Sequence, residues 1–195
     1  MSVINVGVIG ASGYTGLELV KILINHPEFN LSYLANSEGK TTIDKLHPSL
    51  RGVCELEVQK ADIDVVVASC ELVFLALPHK TAMAYVKPLI EKGVKVVDLS
   101  ADYRLPQGIY EEFYVPHTDA ENLEHVVYGL PEMFREELKL AKLVANPGCF
   151  PTSALLGLLP FMSKRIENTP IIIDAKTGVS GAGKKLSDVT HFVNV

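Results

Sequence analysis

The order of elements in the first 35 residues constrains the fold of this chain more than any other feature. Residues 3–9 form an apolar run typical of a strand, residues 10–16 are rich in glycine, residues 17–25 repeat apolar positions as a helix does, and residues 31–35 are a second strand. In such a unit, small loop residues let a pyrophosphate approach backbone N–H groups at the helix N-terminus. The predicted cofactor contacts in this loop are Gly10, Ser12, Gly13, Tyr14, Thr15 and Gly16.

The glycines of this loop are spaced GxxGxxG and not GxGxxG. Glycine is also needed in tight turns, so a purely structural turn is the alternative interpretation. The position between a first strand and a first helix favours cofactor binding.

Strand and helix patterns alternate through most of the remaining chain, which favours a parallel sheet with crossover helices. Strands are predicted at 72–77, 94–99, 143–145 and 171–174, and helices at 81–91 with an interruption at Pro88, at 131–140, and from Thr152 onward. Residues 103–129 are interpreted as an ordered, irregular connection. The predicted fold class is therefore α/β, with a doubly wound, mainly parallel Rossmann-type sheet over residues 1–148. The beginning of an α+β substrate-binding domain follows over residues 149–195.

Composition and charge exclude several classes of protein. The net charge is −5 without a cluster of Lys or Arg, which argues against nucleic acid as a partner. No apolar run is long enough to span a membrane, and the N-terminus lacks the charged segment of a signal peptide. Three cysteines without CxxC spacing imply neither a disulfide framework nor a zinc site. We expect a reduced, cytoplasmic protein without a metal.

The end of the second predicted strand bears on the choice of dinucleotide. Asn36 and Ser37 are neutral, whereas an acidic residue there would bind a ribose 2′-hydroxyl and repel a 2′-phosphate. Lys40 offers a positive charge to phosphate, so Ser37 and Lys40 favour NADP. Glu38 favours NAD and keeps that alternative open. Further cofactor contacts are expected where the strand at 72–77 ends, at Leu77 and Pro78, and His79 beside them is interpreted as structural.

Cys149 lies where a strand pattern, a Pro-Gly turn and a helix pattern meet. At a helix N-terminus, free N–H groups and the helix dipole favour a thiolate, which is a strong nucleophile. The same N–H groups can stabilise an oxyanion. Cys149 is therefore the candidate nucleophile, and the alternative is a buried, inert cysteine.

A second glycine-rich loop at 178–185 nearly matches the phosphate loop of nucleoside triphosphatases. That pattern requires Ser or Thr after the first lysine to bind Mg²⁺, and here the residue is Lys185. A P-loop ATPase is therefore an alternative of another class. The favoured interpretation is a second backbone approach to the cofactor or substrate through Ser180 and Gly181.

Four motifs in one order resemble a known family: the first glycine loop, residues 99–104, residues 146–152 and residues 178–183. The set is similar to bacterial N-acetyl-gamma-glutamyl-phosphate reductase, an enzyme of arginine biosynthesis. The resemblance implies NADPH-dependent reduction of an acyl phosphate to N-acetylglutamate semialdehyde with release of phosphate, through a thioester on Cys149. It also implies that Arg104 and Asn146 bind the substrate, and that the full-length protein forms a homo-oligomer.

The chain departs from this family at its C-terminal end. Family members are longer, and their catalytic histidine lies in a segment that would follow Val195. None of the six histidines here, including His191, matches that position. We expect weak or no turnover from this chain alone, so an NADP-binding fragment without catalysis is one alternative. Aspartate-semialdehyde dehydrogenase, a more distant relative, is another.

Overall fold

Eight strands form one sheet in the computed structural model, which describes residues 3–164, 169–185 and 188–190. The strands within these residues are β1 (Ile4–Ile9), β2 (Phe29–Asn36), β3 (Thr41–Thr42), β4 (Glu57–Lys60), β5 (Leu72–Leu75), β6 (Lys95–Asp98), β7 (Val127–Tyr128) and β8 (Leu143–Ala145). Their spatial order is β3-β4-β2-β1-β5-β6-β8-β7. Each neighbouring pair is parallel except β3 and β4.

Helices cover both faces of this sheet. The helices of the described residues are α1 (Tyr14–Leu23), α2 (Ile43–Leu46), α3 (Ile63–Ser69), α4 (Met83–Glu91), α5 (Gln107–Phe113), α6 (Ala120–Leu123), α7 (Pro131–Leu140) and α8 (Cys149–Leu158). Along β2, Leu34 belongs to the core cluster that contains Val20 of α1, whereas Tyr33 and Ala35 belong to the cluster that contains Val86 of α4. Because neighbouring side chains in a strand point to opposite faces, the two clusters lie on the two sides. The predicted doubly wound α/β fold is confirmed.

The carboxyl ends of five strands are in register. Ile9 pairs with Ala35 and with Leu75, Leu75 pairs with Asp98, and Asp98 pairs with Ala145. The loops that leave these strands therefore start side by side at one edge of the sheet. Strand β1 lies between β2 and β5, so the strand order changes direction at β1. Doubly wound sheets bind ligands at such a switch point.

The chain divides into two compact units, Met1–Asn146 and Pro147–Val195. The first unit contains the whole sheet. The described residues of the second unit contain α8 and short 3₁₀ helices at Leu159–Lys164, Val179–Ala182 and Asp188–Thr190. His191 lies outside the described residues.

Several predicted elements differ from the structure. Helix α1 begins at Tyr14, three residues before its apolar pattern starts. Helix α4 continues through Pro88, because Val86 and Leu89 are fully buried and their packing offsets the lost hydrogen bond. Residues 53–71, to which the sequence pattern assigned nothing, contain β4 and α3. The predicted irregular connection at 103–129 contains α5, α6 and β7.

The strand predicted at residues 171–174 is wrong. These residues have no strand structure, and Ile172 is 90% exposed. A strand is stable only when its backbone groups pair with a neighbour, and the described residues of the second unit provide no such neighbour. The α+β character expected for residues 149–195 is therefore absent from their described part.

Candidate functional site

The N–H and the carbonyl of Ala11 both form hydrogen bonds that hold the first glycine loop in place. The N–H groups of Gly10 and Ala11 donate to the carbonyl oxygen of Ala35, at 2.8 and 3.0 Å. The Ala11 carbonyl accepts a hydrogen bond from Nε2 of His47 at 2.8 Å. Ala11 is fully buried, whereas Tyr14 and Thr15 are exposed. The loop is thus fixed on one side and open on the other.

The three glycines of the loop meet different surroundings. Gly10 has a positive φ of 96°, and a Cβ there would lie 2.1 Å from the Ala76 carbonyl oxygen. A Cβ on Gly16 would lie 2.4 Å from the Gly10 carbonyl oxygen. At Gly13, φ is −80° and a Cβ would meet only that same oxygen, at 3.8 Å. Packing therefore requires glycine at positions 10 and 16, whereas the space beside Gly13 is open to a ligand.

Helix α1 begins at this open side. Its N-cap is Gly13, and among the described residues no side chain caps the helix. The first N–H groups of any α-helix lack partners within the helix, and they carry the positive end of its dipole. These donors and the open space fit the pyrophosphate of a dinucleotide.

The turn after β2 is held by Asn36. Its Oδ1 accepts hydrogen bonds from the N–H groups of Glu38 and Gly39, at 2.9 and 2.6 Å. The Asn36 side chain is therefore used inside the turn, whereas Ser37 and Lys40 are exposed. Lys40 has a positive φ of 58°. Ser37, Glu38 and Lys40 are the polar side chains that this turn leaves at the surface.

The segment after β5 lies beside the glycine loop, because Gly10 packs against Ala76. Leu77 is half-buried and Pro78 is exposed. Nδ1 of His79 accepts a hydrogen bond from the Ala101 N–H at 2.9 Å. This contact supports the structural interpretation of His79, since the ring joins the segments that follow β5 and β6.

Asp98, Ser100 and Asp102 form a buried polar network that begins at the last residue of β6. Oδ2 and Oδ1 of Asp98 accept from the hydroxyl and N–H of Ser100, at 2.7 and 3.0 Å. Asp102 accepts from the N–H groups of Lys80 and Ala82, at 2.7 and 3.0 Å, and from the Tyr110 hydroxyl at 3.0 Å. Asp102 therefore fixes the segment after β5 and the start of α4.

Burial raises the pKa of Asp98 from 3.8 to about 6, although the hydrogen bonds from Ser100 and the nearby Arg104 cation act in the opposite direction. Asp98 is fully buried. The carboxyl group thus changes charge in a mildly acidic range, at the same sheet edge as the glycine loop.

Arg104 makes backbone contacts in this structure. Its Nε donates to the Asn146 carbonyl oxygen at 2.7 Å, and its Nη2 donates to the Leu99 carbonyl oxygen at 2.6 Å. The Asn146 N–H donates to the Asp98 carbonyl oxygen at 2.8 Å. The structure therefore brings the two predicted substrate-binding residues together, at the ends of β6 and β8.

Cys149 is the first residue of α8, and it is exposed. Gly148 is the N-cap, and among the described residues no side chain caps α8. The hydroxyl and N–H of Thr152 both donate to the Gly148 carbonyl oxygen, at 2.8 and 3.0 Å. Cys149 therefore lies at a helix N-terminus, as predicted. The alternative of a buried cysteine is wrong, because the side chain is exposed.

Ser180 and Gly181 lie in the 3₁₀ helix Val179–Ala182 of the second unit. The Gly181 N–H donates to the Gly178 carbonyl oxygen at 3.0 Å, and a Cβ on Gly181 would lie 2.7 Å from the Thr177 hydroxyl oxygen. Gly181 is therefore explained by local packing. A cofactor contact at these two residues stays a prediction.

Three residues that hold the site were not identified from the sequence: His47, Asp98 and Asp102. Asp98 is the last residue of an apolar strand, and Asp102 lies four residues further on, so polar residues at the end of a strand were an available signal. His47 contacts a residue 36 positions away, and it lies directly after the four-residue helix α2, where no sequence pattern indicates this contact.

In the described part of the chain, no three side chains of His, Cys, Asp or Glu are grouped so that they could hold a metal ion. No helix among those residues is long and apolar enough to cross a bilayer.

The fold and the loop together define an α/β protein of the doubly wound class, with a glycine loop at the carboxyl edge of its sheet. The chain belongs to the semialdehyde dehydrogenase family: residues 5–141 match the NAD-binding domain of that family, and residues 149–195 match its dimerisation domain.

Curated relatives share one name. An N-acetyl-gamma-glutamyl-phosphate reductase of Sulfurimonas denitrificans is 75% identical over 195 residues, which are all of this chain and 58% of that protein. Proteins of the same name from Sulfurovum sp. and Methanocaldococcus jannaschii are 64% and 45% identical, over 98% and 97% of this chain and 57% and 56% of their own lengths. The chain thus spans little more than half the length of these relatives.

Solved structures agree on the fold. Aspartate semialdehyde dehydrogenase with NADP from Candida albicans has a TM-score of 0.63 at 21% identity, over 84% of this chain and 48% of that chain. Aspartate semialdehyde dehydrogenase II from Vibrio cholerae has a TM-score of 0.63 at 17% identity, over 94% and 49%. At this identity the likeness concerns the fold alone.

Proposed function

We propose that this chain carries the nucleotide-binding unit and the nucleophile of an NADPH-dependent N-acetyl-gamma-glutamyl-phosphate reductase. The reaction reduces N-acetyl-L-glutamyl 5-phosphate to N-acetyl-L-glutamate 5-semialdehyde and releases phosphate. The observation that carries the proposal is an exposed Cys149 at the first position of α8, in a chain 75% identical to a reductase of that name. The family match argues against the P-loop ATPase alternative.

The first unit would bind NADPH at the carboxyl edge of its sheet. The N–H groups at the start of α1 face the pyrophosphate, next to the open side of Gly13. Ser37 and Lys40 are available to the 2′-phosphate, and Leu77 and Pro78 border the loop. NADPH, when bound, supplies a hydride.

Cys149 would form a covalent intermediate. Its thiolate attacks the acyl carbon, a C–S bond forms, and the C–O bond to phosphate breaks, which leaves a thioester. Hydride addition to the thioester carbon would give the oxyanion of a thiohemiacetal, and cleavage of its C–S bond would release the aldehyde and restore the thiolate. Each addition places negative charge on one oxygen. The free N–H groups at the start of α8 are donors that can stabilise that charge.

Arg104 and Asn146 would bind the substrate at the ends of β6 and β8. Two of the Arg104 N–H groups hold backbone carbonyls, which fixes the plane of the guanidinium and leaves further donors for an anion. Cys149 follows Asn146 by three residues in the sequence.

We further propose a small-molecule acyl phosphate as substrate, a homo-oligomeric assembly of the full-length protein and a cytoplasmic location. The match of residues 149–195 to a dimerisation domain supports the assembly.

The test separates substrate and chemistry. The purified chain and its Cys149→Ser variant are incubated with N-acetylglutamyl phosphate or aspartyl phosphate, and intact mass and NADPH oxidation are measured. We expect an N-acetylglutamyl adduct on Cys149 of the unaltered chain and no adduct on the variant. A preference for aspartyl phosphate would favour the sibling dehydrogenase. NADPH binding without any adduct would favour a cofactor-binding unit without turnover.

Lys40 tests the choice of dinucleotide. Lys40→Gln removes a positive charge, so we expect the ratio of NADP to NAD affinity to fall about tenfold. Glu38→Gln is the matched control and should raise the ratio, since it removes a charge that repels phosphate. An unchanged ratio in Lys40→Gln, measured by NADPH and NADH fluorescence titration, would refute this role.

A further inference from the structure

His47 makes a buried contact with the glycine loop. The side chain is 4% exposed, and its Nε2 lies 2.8 Å from the Ala11 carbonyl oxygen. A carbonyl oxygen can only accept, so Nε2 carries the hydrogen. The imidazole therefore acts as a donor to the Ala11 carbonyl.

The backbone around His47 is fixed. Its N–H donates to the Ile43 carbonyl oxygen at 2.9 Å, and its carbonyl accepts from the Leu50 N–H at 2.9 Å. Ile43 is fully buried and Leu50 is 3% exposed. The ring is thus held by a segment anchored in the core, and its position does not depend on the loop that it contacts.

The consequence for the loop follows from peptide geometry. In a trans peptide the carbonyl and the next N–H point in opposite directions across one plane. When His47 holds the Ala11 carbonyl, the Ser12 N–H therefore points away from His47. A rotated peptide would present the carbonyl oxygen to that side and repel an anion.

We propose that His47 is a positioning residue of the dinucleotide site. It fixes the Ala11–Ser12 peptide so that the Ser12 N–H faces the pyrophosphate before the ligand arrives. Pre-set geometry of this kind raises affinity because no ordering cost remains at binding. This inference rests on the proposed binding of NADPH.

Two substitutions separate hydrogen bonding from packing. The amide nitrogen of Gln can reach the place of Nε2, so His47→Gln keeps a donor for the Ala11 carbonyl. The shorter amide of His47→Asn does not reach it. His125→Asn, at an exposed position, is the matched control. The probes are NADPH, followed by its own fluorescence, and 2′-AMP, which carries the adenosine phosphate but no pyrophosphate.

We expect His47→Asn to weaken NADPH binding about tenfold and to leave 2′-AMP binding within about twofold. His47→Gln should restore NADPH affinity to within about threefold of the unaltered chain. Equal NADPH affinity in the unaltered chain, His47→Asn and His47→Gln would overturn the proposal. So would parallel losses of NADPH and 2′-AMP binding in both variants, which indicate a structural role. Failure of the unaltered chain to bind NADPH would instead refute the proposed function.

Discussion

Gly10 and Gly13 lie in the same loop for different reasons. Alanine at position 10 would place a methyl group against the Ala76 carbonyl oxygen at a positive φ, so we expect Gly10→Ala to lower the free energy of unfolding by at least about 3 kcal/mol. At position 13 an alanine side chain has space, and the backbone φ is one that alanine adopts without strain. The free energy of unfolding of Gly13→Ala should change by less than about 1 kcal/mol, while its NADPH affinity falls about tenfold or more.

Urea unfolding and NADPH titration of both variants check this distinction. Equal effects of the two substitutions on both measurements would show that Gly13 is only part of a structural turn.

Asp98 makes stability depend on pH. The folded-state pKa of about 6 lies above the ordinary value of 3.8, so the folded protein binds the proton more tightly than the unfolded chain. The sign follows: the contribution of Asp98 to stability is full below about pH 4 and is lost as pH rises to about 6. The difference between the two pKa values corresponds to roughly 3 kcal/mol.

Asp98→Asn removes this titration. The variant should gain stability relative to the unaltered protein as pH rises from about 4 to about 7, by up to roughly 3 kcal/mol. Urea unfolding at several pH values measures the difference. Parallel stability curves for the two proteins would contradict the raised pKa.

Helix α8 begins at the nucleophile, and the charge at its first turn decides how reactive Cys149 is. Gly148 has φ −72° and ψ 164°, which any residue adopts. Aspartate at this N-cap would place a carboxylate beside the thiol and occupy the N–H groups that favour a thiolate. We expect iodoacetamide to label Cys149 several-fold more slowly in Gly148→Asp than in the isosteric, neutral Gly148→Asn.

Cys54 and Cys70 serve as internal references for this measurement, because they are 8% and 6% exposed. In the native protein, peptide mapping should find the label on Cys149 first. Equal labelling rates for the aspartate and asparagine variants would argue against an electrostatic role of this helix terminus.

Elements were predictable where the local pattern was long. The β1–α1–β2 unit and α7 follow from apolar periodicity and from the position of glycine and proline. Strand β4 has four residues, of which only Val58 is buried, so its period was too short to detect. Residues 171–174 have strand composition but lack a paired neighbour in the described structure, so propensity without pairing gave a wrong prediction.

At the scale of the whole molecule, a ligand that binds only the folded protein must stabilise it. NADPH at about 100 times its dissociation constant should raise the free energy of unfolding of the first unit by about 2.7 kcal/mol. Hydrogen exchange resolves this by segment, and protection should be greatest in residues 10–17. ATP with Mg²⁺ at the same concentration is the control. Protection by ATP but not by NADPH would contradict the assigned site.

The sequence alone determined that the glycine loop follows the first strand and that Cys149 lies at the start of a helix, because spacing and periodicity are local properties. It also determined the doubly wound class. Only the tertiary structure decided that Ile9, Ala35, Leu75, Asp98 and Ala145 are in register, that Asp102 holds the start of α4, and that His47 reaches Ala11. These contacts join residues far apart in the chain, so they depend on how the sheet and its two cores pack and leave no periodic signal in the sequence.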